Sequence, residues 1–370
     1  MTTGFSHQTL RAFGYIWGSG SFVFFVSFVV EPRGIDRFNR PNGSPSMKAS
    51  IIIPVPAINN YILEALPHYA AQTHRDFEII ILPNEAPSAA VPDAKIIPTG
   101  PVGPAKKRDI GAAAASGDVL AFIDDDAYPA PVWLEHALRH FGDSSIGAVG
   151  GPAVTPKSDA FWQRVSGATF LSRLSGGFPE RYWPVGKPRD IDDWPTVNFL
   201  VRKDLFHRLG GFETRHWPGE DTLLCLKIIE AGFRIVYEPA AMVWHHRRAD
   251  LRRHLTQVAN YGFHRGHFAR RYPRTSLRPL YLIPSLWVLF ICFSPLALLF
   301  PQLRPYVLVG LIAYALALAA ASIDIWRRQR QFTVAVGAIA FIVPTHLAYG
   351  IAFLIGAVKP EIDTHRKKDE

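Results

Sequence analysis

The segment from Gly117 to Pro129, GDVLAFIDDDAYP, runs a short apolar stretch, Val119 to Ile123, directly into three carboxylates, Asp124, Asp125 and Asp126. Adjacent like charges repel and resist burial, so a strand that ends in three of them is best explained by a cation at its end. A hard divalent cation, Mg2+ or Mn2+, takes carboxylate oxygens and keeps open positions for water or substrate phosphates. In extended chain, residues i and i+2 share a face, which would aim Asp124 and Asp126 at one ion and Asp125 elsewhere. The implied chemistry is the handling of a diphosphate. A solvated turn after a strand is the competing reading, and the triplet by itself leaves both open.

Three kinds of element must position these acids. After a Pro/Gly/Ser linker, Arg40 to Ser46, the stretch Ser50 to Val55 reads as a strand, Tyr61 to Gln72 as a helix and Phe77 to Leu82 as a second strand. A small-residue helix over Ala105 to Ala115 then leads to the Val119 to Ile123 strand. Short continuous apolar strands alternating with helices predict a parallel sheet covered on both faces, with ligands at the carboxyl ends of its strands. The aspartates lie at such an end, as do Asn84 and Glu85 in the PNEAPS segment after Leu82. Lys106, Lys107 and Arg108 sit where they could offer positive charge to phosphates, or simply form an exposed basic helix face.

The rest of the chain points to a membrane. Its 370 residues are 48% hydrophobic with mean hydropathy +0.08, and the excess is localised. Pro279 to Phe300, Tyr306 to Ile323 and Phe332 to Val358 are nearly uncharged over lengths that can cross a bilayer. Ala12 to Val30 is also uncharged. It lacks a strongly basic start and a small-residue cleavage site, so it reads as an uncleaved membrane or interfacial segment. Cys225 and Cys292 imply no disulfide framework.

The net charge of +9 gathers against these spans. Arginines and histidines from His245 to Arg278 lead into the first, and Arg327, Arg328 and Arg330 separate the second from the third. This placement argues for a membrane surface and against nucleic acid. By the positive-inside rule both segments are cytoplasmic, the Pro301 to Pro305 turn is outside, and the central domain is cytosolic. The tail residues Arg366, Lys367 and Lys368 also favour the cytoplasm. A single third span would put them outside, whereas a break at Pro344 into two short helices would return them. The expected divisions are 1–46 (hydrophobic segment and linker), 47–244 (catalytic), 245–278 (basic juxtamembrane), 279–358 (about three membrane helices) and 359–370 (polar tail).

SIIIPV from Ser50, FEIIIL from Phe77, GPAKKRDIGAAAASGDVLAFIDDDAYP from Gly103, VNFLVRKDLFHRLGGF from Val197 and GEDTLLCLKIIEAGFRIVYEP from Gly219 occur in the order seen in family 2 glycosyltransferases. Over roughly residues 49–275 the chain resembles that family, and its spans are similar to those of bacterial inner-membrane members that build polysaccharides and glycolipids. The resemblance implies an α/β GT-A fold: a Rossmann-like nucleotide-binding half, an acceptor half and a mixed sheet, followed here by transmembrane helices. It implies a nucleoside diphosphate sugar, a divalent cation and inversion at the transferred sugar. Asp126 and Asp124 would be the metal-binding pair, with Asp124 also near ribose, and Pro54, Asn84, Glu85, Lys107, Arg108 and Asp125 would surround the donor.

Inverting transfer needs a base for the acceptor hydroxyl. Glu220 and Asp221 match the family's ED motif at the start of an amphipathic helix, where like charge and partial burial raise proton affinity. The resemblance assigns the base to Asp221 and acceptor contact to Glu220, while an acidic helix start worth about 0.3–1 kcal/mol is the simpler reading. Gly211 belongs to the GGF turn that supports the acceptor site, Trp217 would stack on a sugar or cover the core, and Asn198 would face the acceptor or bond local backbone. One of His245 and His246, with His245 preferred, would join the metal.

Departures from the family pattern fall on base recognition. LPNEAPS replaces a DDGS-like turn, and Pro56, Ala57, Ile58 and Asn59 follow the first strand. Tyr261 to Pro273 lacks the arginine-tryptophan gate of processive synthases, which favours transfer of a single sugar. The expected acceptor is a lipid-linked polyprenyl diphosphate saccharide, held by the basic stretch from His245 to Tyr272, including Arg265, at the cytoplasmic face of a bacterial inner membrane. Transfer to a polyprenyl monophosphate and a non-catalytic scaffold of the same fold are the alternatives.

Overall fold

The structure, a computed structural model, describes residues 47–212 and 218–359. The N-terminal hydrophobic stretch, Trp217 and the basic tail lie outside the described residues.

The first half is built as its sequence predicts. β1 (Ala49–Pro54), α1 (Asn60–Ala70), β2 (Phe77–Leu82), β3 (Ala94–Ile96), α2 (Pro104–Ala114) and β4 (Val119–Ile123) follow one another, and β3, β2, β1 and β4 pair in parallel. Alternate residues of these all-apolar strands serve two different cores. Ile51, Ile53, Ile79 and Ile81 pack on the α1 side, whereas Ile52, Ile80, Leu82 and Phe122 pack on the α2 side. The small residues of α2 allow a close approach, since a Cβ at Gly111 would sit 2.6 Å from Ile52 Cγ2.

Beyond β4 the sheet departs from the all-parallel expectation. The chain passes through β5 (Ala127–Pro129), α3 (Trp133–Leu138), β6 (Ile146–Gly150), β7 (Ala153–Val154), α4 (Phe161–Ala168) and β8 (Arg189–Ile191) before β9 (Asn198–Arg202). It returns at the carboxyl end of β4, where Asn198 pairs with Ile123, so β9 must run backwards beside it. α5 (Lys203–Arg208), α6 (Glu220–Glu230), β10 (Arg234–Tyr237) and β11 (Val243–His245) complete this half. The eight-stranded order is β3-β2-β1-β4-β9-β6-β10-β8, with β5, β11 and β7 in a second small sheet. This is the mixed, two-part sheet implied by the GT-A resemblance.

α7 (Leu251–Arg271), α8 (Pro273–Ser276), α9 (Pro279–Phe293), α10 (Leu296–Leu299), α11 (Arg304–Gln329) and α12 (Phe332–Val358) follow. Three helical stretches, Pro279–Leu299, Pro301–Gln329 and Phe332–Val358, are long and apolar enough to cross a membrane. α12 runs without interruption through Pro344, so the two-short-helix hairpin does not form. α7 does not stand apart as a separate surface helix but packs along α12, where glycines let the backbones approach. Gly262 meets Tyr349, Gly266 meets Phe353, and Gly356 meets Phe263.

Candidate active site

A turn, not extended chain, gathers the metal-binding side chains. The Ala127 amide donates to the Asp124 carbonyl (3.2 Å), folding the three aspartates between β4 and β5. β11 lies antiparallel to β5 with His245 opposite Ala127, and the His246 amide donates to the Asp126 carbonyl (3.0 Å). That register delivers His245 Nε2 to 3.0 Å from Asp126 Oδ1. One ligand atom from each of Asp124, Asp126 and His245 lies within 4.8 Å of the others.

These residues fit a divalent cation. Burial works to raise the Asp126 pKa, but His245 and Arg248 outweigh it and hold the carboxyl at about 2, ionised and ready to ligate. The other imidazole nitrogen, His245 Nδ1, is buried with no hydrogen-bond partner among the described residues, so no outer acceptor holds the tautomer that leaves Nε2 its lone pair, and the fit rests on the two carboxylates and the imidazole themselves. Asp125 plays a different part. Its carboxylate accepts from Asn59 Nδ2 (2.6 Å), and burial followed by Asp126 raises its pKa to about 6 against that bond. Asn59 also caps α1 through the Ile62 amide, which ties the helix start to the aspartate turn.

Arg108 links the aspartates to the acid pair. Its Nη2 donates to Asp124 Oδ1 (2.7 Å) and its Nη1 to Glu220 Oε1 (3.3 Å). Glu220 and Asp221 open α6 behind Gly219, whose φ of +126° and whose contact with Phe268, 2.8 Å from a built Cβ, leave room only for glycine. Burial, then Asp221, raises the Glu220 pKa to about 7 against the pull of Arg108. Burial, then Asp193, raises that of Asp221 against Arg265. An acidic helix start alone would give lowered values. A buried carboxylate whose proton affinity is raised in this way is suited to accept a proton.

Behind Asp221 lies an ion cluster. Asp193 Oδ2 accepts from Arg265 (2.6 Å) and Arg181 (2.8 Å), and its Oδ1 accepts from Thr222 Oγ1 (2.9 Å). Burial opposes ionisation of Asp193, but the two guanidinium groups keep it well below the usual carboxylate range.

One cavity of about 2030 Å3 joins these groups. Its polar end is lined by Pro54, Asn84, Lys107, Arg108 and the three aspartates, and Glu220, Asp221, His245 and Arg265 follow along it. Its far end is walled by Ile283, Trp287 and Phe290 of α9, Tyr314 and Leu318 of α11, and Tyr349 of α12.

Several expected residues do other work. Lys107 is buried and donates to the Val55 and Leu82 carbonyls (2.7 and 3.0 Å) and to Asn84 Oδ1 (2.6 Å), so it ties the strand-end loops together. Lys106 and Glu85 are exposed and line no part of the cavity. Asn198 is fully buried. It donates to the Pro152 and Ala241 carbonyls and accepts from Trp133 Nε1, a core bracket that faces no acceptor. Gly211, at φ +62°, keeps a turn in which the Phe212 amide donates to Asp109 Oδ1 (2.9 Å), outside the cavity. Arg265 lines the cavity, but its guanidinium is engaged by Asp193.

Sequence reasoning missed Asn59, Arg181, Asp193 and Arg248. Asn59 had a signal, since it directly precedes a helical pattern. The others carry no local signal: Asp193 and Arg248 sit inside ordinary charged runs, and only the fold brings Arg265 to Asp193 and Asp126 to Arg248.

Residues 50–210 match the family "Glycosyl transferase family 2". A pre-mycofactocin glycosyltransferase of Mycobacterium tuberculosis is 34% identical over 171 residues, 46% of this chain and 36% of that protein. A glucosyl-dolichyl phosphate glucuronosyltransferase of Haloferax volcanii is 27% identical over 155 residues, 37% of this chain and 46% of that protein. The chain thus matches between about a third and a half of the length of these relatives. A solved mannosyltransferase of Pyrobaculum calidifontis, in complex with GDP-Man and Mn2+, shares the fold with a TM-score of 0.51 and 18% identity, over 84% of this chain and 87% of that one.

Proposed function

Residues 50–210 are a family 2 glycosyltransferase domain, and from that premise we propose that the chain moves one sugar, with inversion, from a nucleoside diphosphate sugar to a lipid-linked acceptor at the cytoplasmic face of a bacterial inner membrane. The observation that carries this reading is the single cavity that begins at Asp124, Asp126 and His245 and ends among the apolar side chains of α9, α11 and α12. A water-soluble acceptor has no use for that far end. The Haloferax relative, whose name specifies a lipid-linked sugar acceptor, supports the same class.

In this reading Pro54, Asn84 and the Asn59-anchored Asp125 border the donor nucleotide at the strand ends. Asp124, Asp126 and His245 hold Mg2+ or Mn2+, which when bound supplies charge neutralisation for the departing diphosphate. Asp221 takes the acceptor hydroxyl proton. Its own Oδ1 is oriented by the Thr222 amide (2.7 Å), and Glu220 with Arg108 connects the base to the aspartate turn. Intact Asp124, Asp126 and Asp221 argue against a non-catalytic scaffold.

A polyprenyl monophosphate acceptor is the second reading, favoured by one observation. Arg265, expected at a lipid diphosphate, shares Asp193 with Arg181, so the three groups together carry one net positive charge, less for two phosphates than the two arginines alone imply.

The test is transfer by the purified full chain in lipid nanodiscs, with Mn2+ and a panel of nucleoside diphosphate sugars. Polyprenyl diphosphate saccharide, polyprenyl monophosphate and a soluble sugar are offered as acceptors. Lipid-dependent transfer with an inverted product, abolished by EDTA, is expected. Equal use of the soluble sugar overturns the lipid acceptor, and absence of nucleotide binding overturns the enzyme reading.

A further inference from the structure

The length and composition of α12 make it a candidate span, but its neighbours do not. The buried side of this 27-residue helix is covered from end to end. α4 packs on its first half, where Trp162 stacks on Phe341 (5.9 Å) and Gly337 meets Val165. α7 takes over from Phe341 onward and runs beside α12 to its last turn.

Each end of α12 is tied to the catalytic half. At the start, Arg164 Nη1 of α4 donates to Gln331 Oε1 (2.6 Å). At the finish, Arg270 Nη2 of α7 donates to the Lys359 carbonyl (3.1 Å). In the middle, His254 of α7 bridges Ser166 of α4 and Thr345 of α12 (2.8 Å each).

Twenty-seven helical residues extend about 40 Å, longer than the roughly 30 Å hydrocarbon core. If α12 crossed the bilayer, α4 would lie against one leaflet and the end of α7 against the other. α7 carries Arg252, Arg253, Arg270 and Arg271, charges that are costly to place in hydrocarbon. A single water-soluble domain cannot hold both ends of a crossing helix.

We propose that α12 lies along the membrane, embedded in the leaflet that faces the catalytic domain, and that its outer stripe is a lipid-binding surface shared with α4. That stripe is apolar where it is open: Phe332 and Val336 near the start and Ile351, Ile355 and Val358 near the end are exposed, residues 341–350 between them are covered in part by α9 and α11 through Ser285–Gly350 and Tyr314–His346, and Val334, Ala338, Phe341, Ile342 and Phe353 are buried on the other side. Trp162, half exposed, and Phe161 extend the surface onto α4 with the aromatic character of an interfacial belt. A helix apolar all round needs burial on every face, and here α4, α7, α9 and α11 cover most of it while lipid would cover the open stretches near its two ends.

The arrangement also places both flanks of α12 on one side. Arg327, Arg328 and Arg330 before it and Lys359 after it then meet the same headgroups with no helix broken at Pro344. The inference depends on neither the acceptor nor the sugar.

Labelling of the full chain in sided membrane vesicles tests it. In a Cys292→Ser background, Arg327→Cys and Lys359→Cys should react with an impermeant maleimide from the same face, and Gln302→Cys, between α10 and α11, from the opposite one. Reaction of positions 327 and 359 from opposite faces overturns the proposal. Nitroxides at Val336→Cys, Ile351→Cys and Ile355→Cys supply an independent readout by collision with oxygen and a water-soluble nickel chelate. Equal, shallow depths are expected. A depth that passes through the bilayer centre along the helix, or a stripe shielded from both probes by a second copy, overturns it.

Discussion

The two ends of the cavity are built on opposite principles. At the polar end each side chain is fixed by named partners: Asp126 by His245 and Arg248, Asp125 by Asn59, Glu220 by Arg108. At the membrane end the wall is area, supplied by aromatic and branched side chains from three helices. Chemistry in one region therefore depends on single atoms, and recognition in the other on summed contact. Substitutions should fail abruptly at the first end and by degrees at the second.

The largest effect is expected at Asp221. Asp221→Asn keeps the shape of the site and removes the proton acceptor, so the transfer rate should fall by about 10²–10⁴-fold while nucleotide binding, read by calorimetry, stays within error. Asp126→Ala should remove Mn2+-dependent nucleotide binding as well. If Asp221→Asn transfers at the parent rate, the base lies elsewhere and the contrast between the two ends loses its sharpest support.

Arg108 comes next. Its Arg108→Met variant leaves buried Glu220 and half-exposed Asp124 without their shared partner. Loss of one member of a buried ion pair costs about 3 kcal/mol, which thermal unfolding in nanodiscs should register as a clear fall in Tm. An unchanged Tm would mean that the polar end is held together by something other than this chain of ion pairs.

The pH dependence follows from the raised pKa values of the acid pair. The base, Asp221, must be unprotonated to act, and burial followed by Asp193 raises its pKa, so the transfer rate should rise with pH to a plateau reached above the ordinary aspartate value of 3.8. Stability moves the other way. The folded chain keeps the Glu220 proton to higher pH than the unfolded chain, so this contribution is full below the ordinary carboxylate value of 4.5 and is lost as pH rises through about 7. Glu220→Gln should flatten that decline in Tm between pH 5 and 8.

The contrast between the ends extends to what the sequence makes legible. β1, β2 and β4 declare themselves because a strand buried on both faces must be a continuous apolar run, and their residues fall within one of its predicted position. Asp124, Asp126, Glu220, Asp221 and His245 declare themselves through unusual acid and histidine placement after strands and before a helix. The reversal of β9 leaves no such mark, since NFLVR pairs equally well in either direction, and only the return of the chain beside Ile123 fixes it. From the sequence Lys107 reads as a phosphate contact or an exposed helix face, and Asn198 as an acceptor contact or a local backbone bonder. Carbonyls brought from Val55, Leu82, Pro152 and Ala241 are their actual partners, and no local pattern announces contacts over such separations. The membrane helices show the same limit: composition marks α12 as apolar, while which neighbours cover it is a tertiary fact.

The smallest effect should come from the membrane end, where it is also the most selective. Trp287 of α9 stacks on Tyr314 of α11 with ring centroids 3.7 Å apart, and both line the cavity. In the proposed reading the lipid chain packs on this wall, and loss of one aromatic contact with it, worth about 0.5–1.5 kcal/mol, should raise KM for a long-chain lipid acceptor roughly two- to tenfold in Tyr314→Ala. The donor KM and the rate at saturating acceptor should not change, because Tyr314 contacts neither the aspartate turn nor Asp221. An acceptor shortened to a few carbons would not reach the α9–α11 wall and should lose nothing to the substitution. Equal loss with short and long acceptors would mean that Tyr314 acts through the packing of the catalytic site, and the two ends of the cavity could no longer be treated as separate devices.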